Sequence, residues 1–242
     1  MEVHTHSHTA RKKWTNYFWE FLMLFLAVFC GFLAEYQLEH TIEHQREKKY
    51  AKQLLADLRA DSLFFAKRVG SMNGLMKKHQ QFYLLMTGPV KPTDKELLSA
   101  SLPLLYTFDI LVTTATYNQM KTSGSLRYIQ NQKLINVLQQ YYEVNLPRLF
   151  NASDMETRYY SDNINPFIIK HFRVQDFDFF SDTIKTITPV IMNRTSQVDQ
   201  ELLNIIEGYG GSHGVIQERL TIPAVKKLKE LMGLLKKEYH LK

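Results

Sequence analysis

The chain has 242 residues, 45% hydrophobic and 22% charged, with a formal net charge of +6, which excludes a wholly disordered chain and a collagen-like one. Only 10 Gly and 7 Pro are present, too few for the many tight turns of a sandwich or barrel, so a mainly α fold is expected. The single cysteine, Cys30, rules out an intramolecular disulfide framework and an all-Cys zinc site.

Residues 1–13 read as a short cytoplasmic tail with His4, His6 and His8, a low-specificity run, and the basic trio Arg11, Lys12 and Lys13. Residues 14–38 read as a transmembrane helix. Between Lys13 and Glu35 the only charge is Glu20, and about 20 residues at about 1.5 Å each span a hydrocarbon core of about 30 Å. Both tryptophans, Trp14 and Trp19, fall with Tyr17 and Phe18 at one end and Tyr36 at the other, as expected of rings at headgroup level. Phe29 precedes Cys30 where a lipoprotein signal needs a small residue, and no small-residue cleavage pattern follows, so the segment reads as retained. The basic trio predicts a cytoplasmic N-terminus and a periplasmic or extracellular remainder.

Residues 39–69 read as a juxtamembrane stalk helix that starts almost wholly polar and enters a bundle at Tyr50, Leu54, Leu55, Leu58 and Phe65. Residues 70–242 read as a helical extracytoplasmic domain. Gly70 and Gly74 are expected to loosen the helical pattern, with a separate helix over 75–86 stopped by the Gly88-Pro89 turn. A cap is expected at Thr93, a short helix over 113–120, and a longer one over 131–150 kinked or broken by Pro147. Residues 154–172 are expected to continue it, interrupted by Pro166. A local strand is possible over 176–180. A further helix follows from Ser196, and Pro223 is expected to open the last one, whose apolar stripe (Val225, Leu228, Leu231, Leu235 and Tyr239) favours packing in the bundle over lying on an anionic membrane. The Gly-rich run 208–214 lacks the strand context and Lys-Ser or Lys-Thr ending of a phosphate loop and reads as a flexible turn.

Two stretches resemble an uncharacterised family of single-pass membrane proteins from Bacteroidota, a domain of unknown function. One runs from Phe18-Trp19-Glu20 through Gln45-Arg46-Glu47-Lys48-Lys49-Tyr50 to Leu54-Leu55-Ala56-Asp57-Leu58-Arg59-Ala60-Asp61. The other is Thr116-Tyr117-Asn118-Gln119-Met120-Lys121-Thr122-Ser123-Gly124-Ser125-Leu126-Arg127-Tyr128-Ile129-Gln130-Asn131. The resemblance implies a membrane-anchored helical architecture and supplies no activity. Read physically, Tyr117, Met120 and Leu126 offer core contacts and Ser123-Gly124 a left-handed helix end, which makes a helix-turn-helix corner. The alternative is a binding surface using Arg127 and Asn131.

Glu20 is the residue to watch, since a carboxylate in a span snorkels to the headgroups, bonds within an oligomer, or marks an ion path. His40, Glu43 and His44 match the inverted zinc-protease pattern H-x-x-E-H, but three letters arise by chance in a stalk rich in His and Glu, so they are weak metal candidates. Ser212 beside His213 is not a catalytic pair, because sequence neighbours do not present nucleophile and base to each other. No catalytic constellation, cofactor or metal is expected. The chain reads as a non-enzymatic single-pass protein of the bacterial inner membrane, an oligomeric scaffold or accessory subunit of an envelope complex. The alternatives are an oligomeric ion-conducting pore gated by the periplasmic domain and, more remotely, an anchored envelope hydrolase. The expected partners are the bilayer and either copies of itself or another membrane protein, not nucleic acid.

Overall fold

In the computed structural model, residues 14–107, 109–178 and 183–242 are described. The expected cytoplasmic tail, with its His4, His6 and His8 and basic trio, lies outside them. The fold is mainly α: helix α1 (Trp14–Thr87), then α2 (Asp94–Ser101), α3 (Ala115–Thr122), α4 (Gln132–Gln139), α5 (Leu146–Tyr159), α6 (Asn165–His171), strands β1 (Phe177–Asp178) and β2 (Thr183–Ile184), α7 (Ser196–Ile216) and α8 (Ile222–Tyr239). The chain divides into two compact units, Met1–Lys49 and Tyr50–Lys242. In the first, residues 14–49 are helical and none is buried.

The second unit has two apolar clusters. One gathers Ala51, Leu54, Leu58 and Phe65 of α1 with faces of α3, α4, α5 and α8; the other gathers Met72, Leu75 and Phe82 of α1 with α2, α6, β1 and α7. Each fully buried leucine contributes about 1.5–3 kcal/mol by leaving water. The stripe on α8 packs into the first cluster through Leu228, Leu231, Leu235 and Tyr239, so this helix is a bundle element.

Helix ends follow local chemistry. Thr93 caps α2 with a reciprocal capping box to Glu96, Asn131 caps α4, and Thr195 caps α7. Arg194 bonds Asp94 at 2.6 Å and Asp199 at 2.8 Å, fastening the start of α2 to the start of α7. The expected strand forms as β1, paired antiparallel with β2 through Phe177↔Ile184 and Asp178↔Thr183.

Three expectations are corrected. Gly70 and Gly74 do not interrupt α1, which runs on to Thr87 with Met72, Leu75, His79 and Phe82 buried along one face; that face outweighs the roughly 1 kcal/mol propensity cost of each glycine. Pro147 and Pro166 do not break their helices either, whereas Pro223 stands in the first turn of α8 as expected. Pro147, Pro166 and Pro223 each follow a π-helical turn, at Gln140–Asn145, Tyr160–Ile164 and Gln217–Thr221. The residue before each proline donates five residues back: Leu146 to Tyr141, Asn165 to Tyr160, and Ile222 to Gln217. A proline removes a donor and crowds the carbonyl four residues earlier, and a widened turn relieves that crowding while the helix continues. Finally, the Gly-rich run 208–214 is not a turn but the interior of α7.

Candidate functional site

Residues 14–38 form the first candidate. The most apolar 18-residue window of α1 is long enough to cross a membrane and has 0% of its residues buried within the chain. Phe21, Met23, Leu24, Phe25, Phe29 and Phe32 are all exposed. They stack along the helix, Phe21 on Phe25 at 6.2 Å and Phe25 on Phe29 at 5.9 Å, as four-residue spacing dictates. Glu20 is exposed on this helix, with Trp19 beside it and Trp14 less than two turns away.

His40, Glu43 and His44 lie further along the same helix. His40 packs edge-on to Tyr36 at 4.4 Å, and His44 Nδ1 lies 3.4 Å from Glu47 Oε2. Among the described residues no group of three or more His, Cys, Asp or Glu side chains is placed to hold a metal ion.

The second motif folds as a corner. Gly124 takes φ +70° beyond the end of α3, a conformation glycine adopts without strain. Tyr117 is buried, its ring stacked on Tyr142 at 4.4 Å and its hydroxyl donating to Glu143 at 2.6 Å, while Leu126 packs half-buried against the first cluster. Arg127, of the binding-surface alternative, is exposed, and Asn131 is half-buried. Its side chain accepts from the Leu134 amide at 3.1 Å and donates to Glu238 at 2.7 Å, so its polar atoms join α4 to α8. Asp61, from the other stretch, is buried and accepts from the Thr113 amide at 2.8 Å and the Tyr141 hydroxyl at 3.2 Å. Burial raises its pKa, opposed by these two hydrogen bonds.

The most unusual chemistry lies where the two apolar clusters meet. Along α1, Phe65 belongs to one and Met72 to the other, with Arg68 between them. Along α5, Ala152 and Tyr159 flank Glu156, and along α7, Tyr209 and Ile216 flank His213. Spacings of three and four residues place each polar residue on the same buried stripe as its apolar neighbours. Arg68, Glu156 and His213 are all buried. Glu156 Oε1 lies 3.3 Å from His213 Nε2, but neither Glu156 oxygen makes a hydrogen bond. His79 extends the layer, its ring 5.8 Å from that of His213, and neither of its nitrogens is hydrogen-bonded.

Burial pushes Glu156 up to about 7, opposed by the charge of Arg68. Burial pushes His79 down to about 4, and His213 to about 4 with His79 and Arg68 adding to the effect. At neutral pH both imidazoles are therefore uncharged, and Glu156 exchanges its proton near neutrality.

The glycine run allows this layer to close. A Cβ on Gly210 would sit 2.4 Å from His79 Nδ1, and one on Gly208 would sit 2.9 Å from the Tyr159 hydroxyl. Glycine thus lets α7 approach α1 and α5 at once. Ser212 is exposed and donates to the Gly208 carbonyl at 3.1 Å, whereas His213 points inward, so the two neighbours occupy opposite faces of the helix.

Two cavities flank the layer. One, of 560 Å³, opens between α5 and α7 among Ala152, Met155, Glu156, Val215 and Ile216; the other, of 390 Å³, lies between α1 and α7 at His79, Tyr83, Glu207 and Gly210. No family model, curated protein or solved structure matches the chain. Sequence reasoning missed Arg68, His79 and Glu156 and placed His213 in a turn. The available signal was a polar residue inside each apolar stripe, and its meaning depends on which three stripes meet.

Proposed function

We propose that the chain is a non-catalytic, single-pass protein of the bacterial inner membrane. In this reading residues 1–13 are cytoplasmic, the helical unit is periplasmic, and the protein is a scaffold or accessory subunit of an envelope complex, assembled with copies of itself or with a membrane partner. The observation that carries the reading is the bare, mainly apolar surface of residues 21–38, which no other described part of the chain buries. Lipid and neighbouring helices supply the missing cover. The basic trio before the helix supports the orientation. Kinship with the Bacteroidota family is part of the same proposal and rests on the two sequence stretches.

The test is the native mass of the full chain extracted in mild detergent. A multiple of 28.4 kDa identifies self-assembly, and a mass including another polypeptide identifies an accessory subunit. A lone monomer would overturn the assembly reading. A C-terminal reporter active only in the cytoplasm would overturn the orientation. Glu20, exposed on the apolar helix, favours one second reading, an oligomeric ion-conducting pore. Conductance in a planar bilayer that disappears with Glu20→Gln would establish it, whereas a scaffold conducts nothing.

A further inference from the structure

The cavity between α5 and α7 combines two features of a small-molecule site. Its volume, 560 Å³, lies within the range of such pockets, and its wall is mainly apolar. Ala152, Met155, Val215, Ile216 and Leu220 line it, with Met155 71% and Val215 51% exposed at its mouth. Glu156 is the one carboxylate in that wall, 3% exposed, with both oxygens lacking a hydrogen bond.

The other polar groups of the wall are already engaged. The Tyr159 hydroxyl donates to the Ile205 carbonyl, the Tyr209 hydroxyl to the Tyr106 carbonyl, and Ser212 to the Gly208 carbonyl. A buried carboxylate without a donor is costly, and a molecule that brings one recovers that cost. His213 Nε2 already lies 3.3 Å from Glu156 Oε1, and the positive charge of Arg68 also acts on this carboxyl. A cationic ligand would set a second positive charge beside the guanidinium, so a neutral donor is the better complement.

We propose that this cavity binds a neutral, mainly apolar molecule bearing one hydroxyl, of the long-chain alcohol class, whose hydroxyl donates to Glu156 while its chain lies on Met155, Val215, Ile216 and Leu220. The site is independent of the assembly reading above.

The test uses the full chain in lipid nanodiscs at pH 8, photolabelled with a diazirine-bearing long-chain alcohol and mapped by mass spectrometry. Label at residues 14–38 reports contact with lipid and serves as the internal reference. The expected result is additional label at Met155 or within residues 215–220. Decan-1-ol should displace it at a concentration at least about 10-fold lower than decyl methyl ether at matched membrane concentration, since one hydrogen bond to a charged group is worth at least that factor. Val215→Trp, at an exposed position, fills the mouth and should lower the label there about 10-fold while leaving the reference unchanged. Label confined to residues 14–38, equal competition by alcohol and ether, or an unaffected Val215→Trp would each overturn the proposal.

Discussion

Glu156, His79 and His213 set opposing pH dependences within a few ångströms of one another. Each histidine has a folded pKa of about 4, below its ordinary 6.5. The stability each contributes is therefore complete above about pH 6.5 and lost as pH falls through about 4. Glu156 has the opposite sign: raised from 4.5 to about 7, its contribution is complete below about pH 4.5 and lost as pH rises through about 7. Two groups oppose one, so thermal midpoints of the full chain should rise from pH 4 to 6.5 and level off toward pH 8, where the last gain from the histidines and the last loss from Glu156 cancel. Glu156→Gln should steepen the rise between about pH 4.5 and 7, and the opposing pH-dependent contribution it removes is on the order of 3 kcal/mol. Circular dichroism melts across this range check both statements. Gly210 offers a sharper residue-scale test. Gly210→Ala forces a methyl group to 2.4 Å from His79 and should cost about 1–3 kcal/mol. Gly211→Ala, whose Cβ would meet nothing within 4 Å, should instead stabilise by up to about 1 kcal/mol through helix propensity.

At the scale of elements, sequence and structure agree where a signal is local and diverge where it is not. Thr93 with Glu96, Gly124 after α3 and the stripe of α8 were all legible, because caps, left-handed ends and amphipathic periodicity act within a few residues. Pro147 was read as a kink or break and Pro166 as an interruption because a sequence indicates crowding at a proline but not the π-helical turn that relieves it. Asn131 joins two elements and is testable as such. Asn131→Ala loses the cap of α4 and the tie to Glu238, and should cost about 1–2 kcal/mol. Asn131→Asp keeps an acceptor for the cap but sets a carboxylate against Glu238, so it should lose the inter-helix tie while keeping the cap. Denaturant midpoints for the two variants separate capping from the inter-helix tie.

For the whole molecule, the apolar helix governs where the chain resides. Leu26 is exposed near the middle of the apolar stretch. Leu26→Arg should weaken membrane insertion by about 3–4 kcal/mol, moving a measurable share of the protein into the soluble fraction on carbonate extraction. The helical unit should keep its circular-dichroism melt, because Leu26 belongs to the other compact unit. Loss of that melt together with insertion would contradict the division into two units.

Composition and short-range pattern were sufficient for the mainly α class, the apolar helix with its aromatic flanks, and most of the buried stripes, since each follows from the order of residues along one helix. The assembly of Arg68, Glu156, His79 and His213 was not legible in that way. Arg68 and His213 are separated by 145 residues of chain, and each looks alone like a polar interruption of an apolar face. Packing α1, α5 and α7 side by side turns those interruptions into one layer, and the same packing turns a run of glycines from an apparent turn into the surface that lets the helices meet. A stripe is a property of one segment, whereas a buried charge takes its meaning from the groups that other segments bring to it.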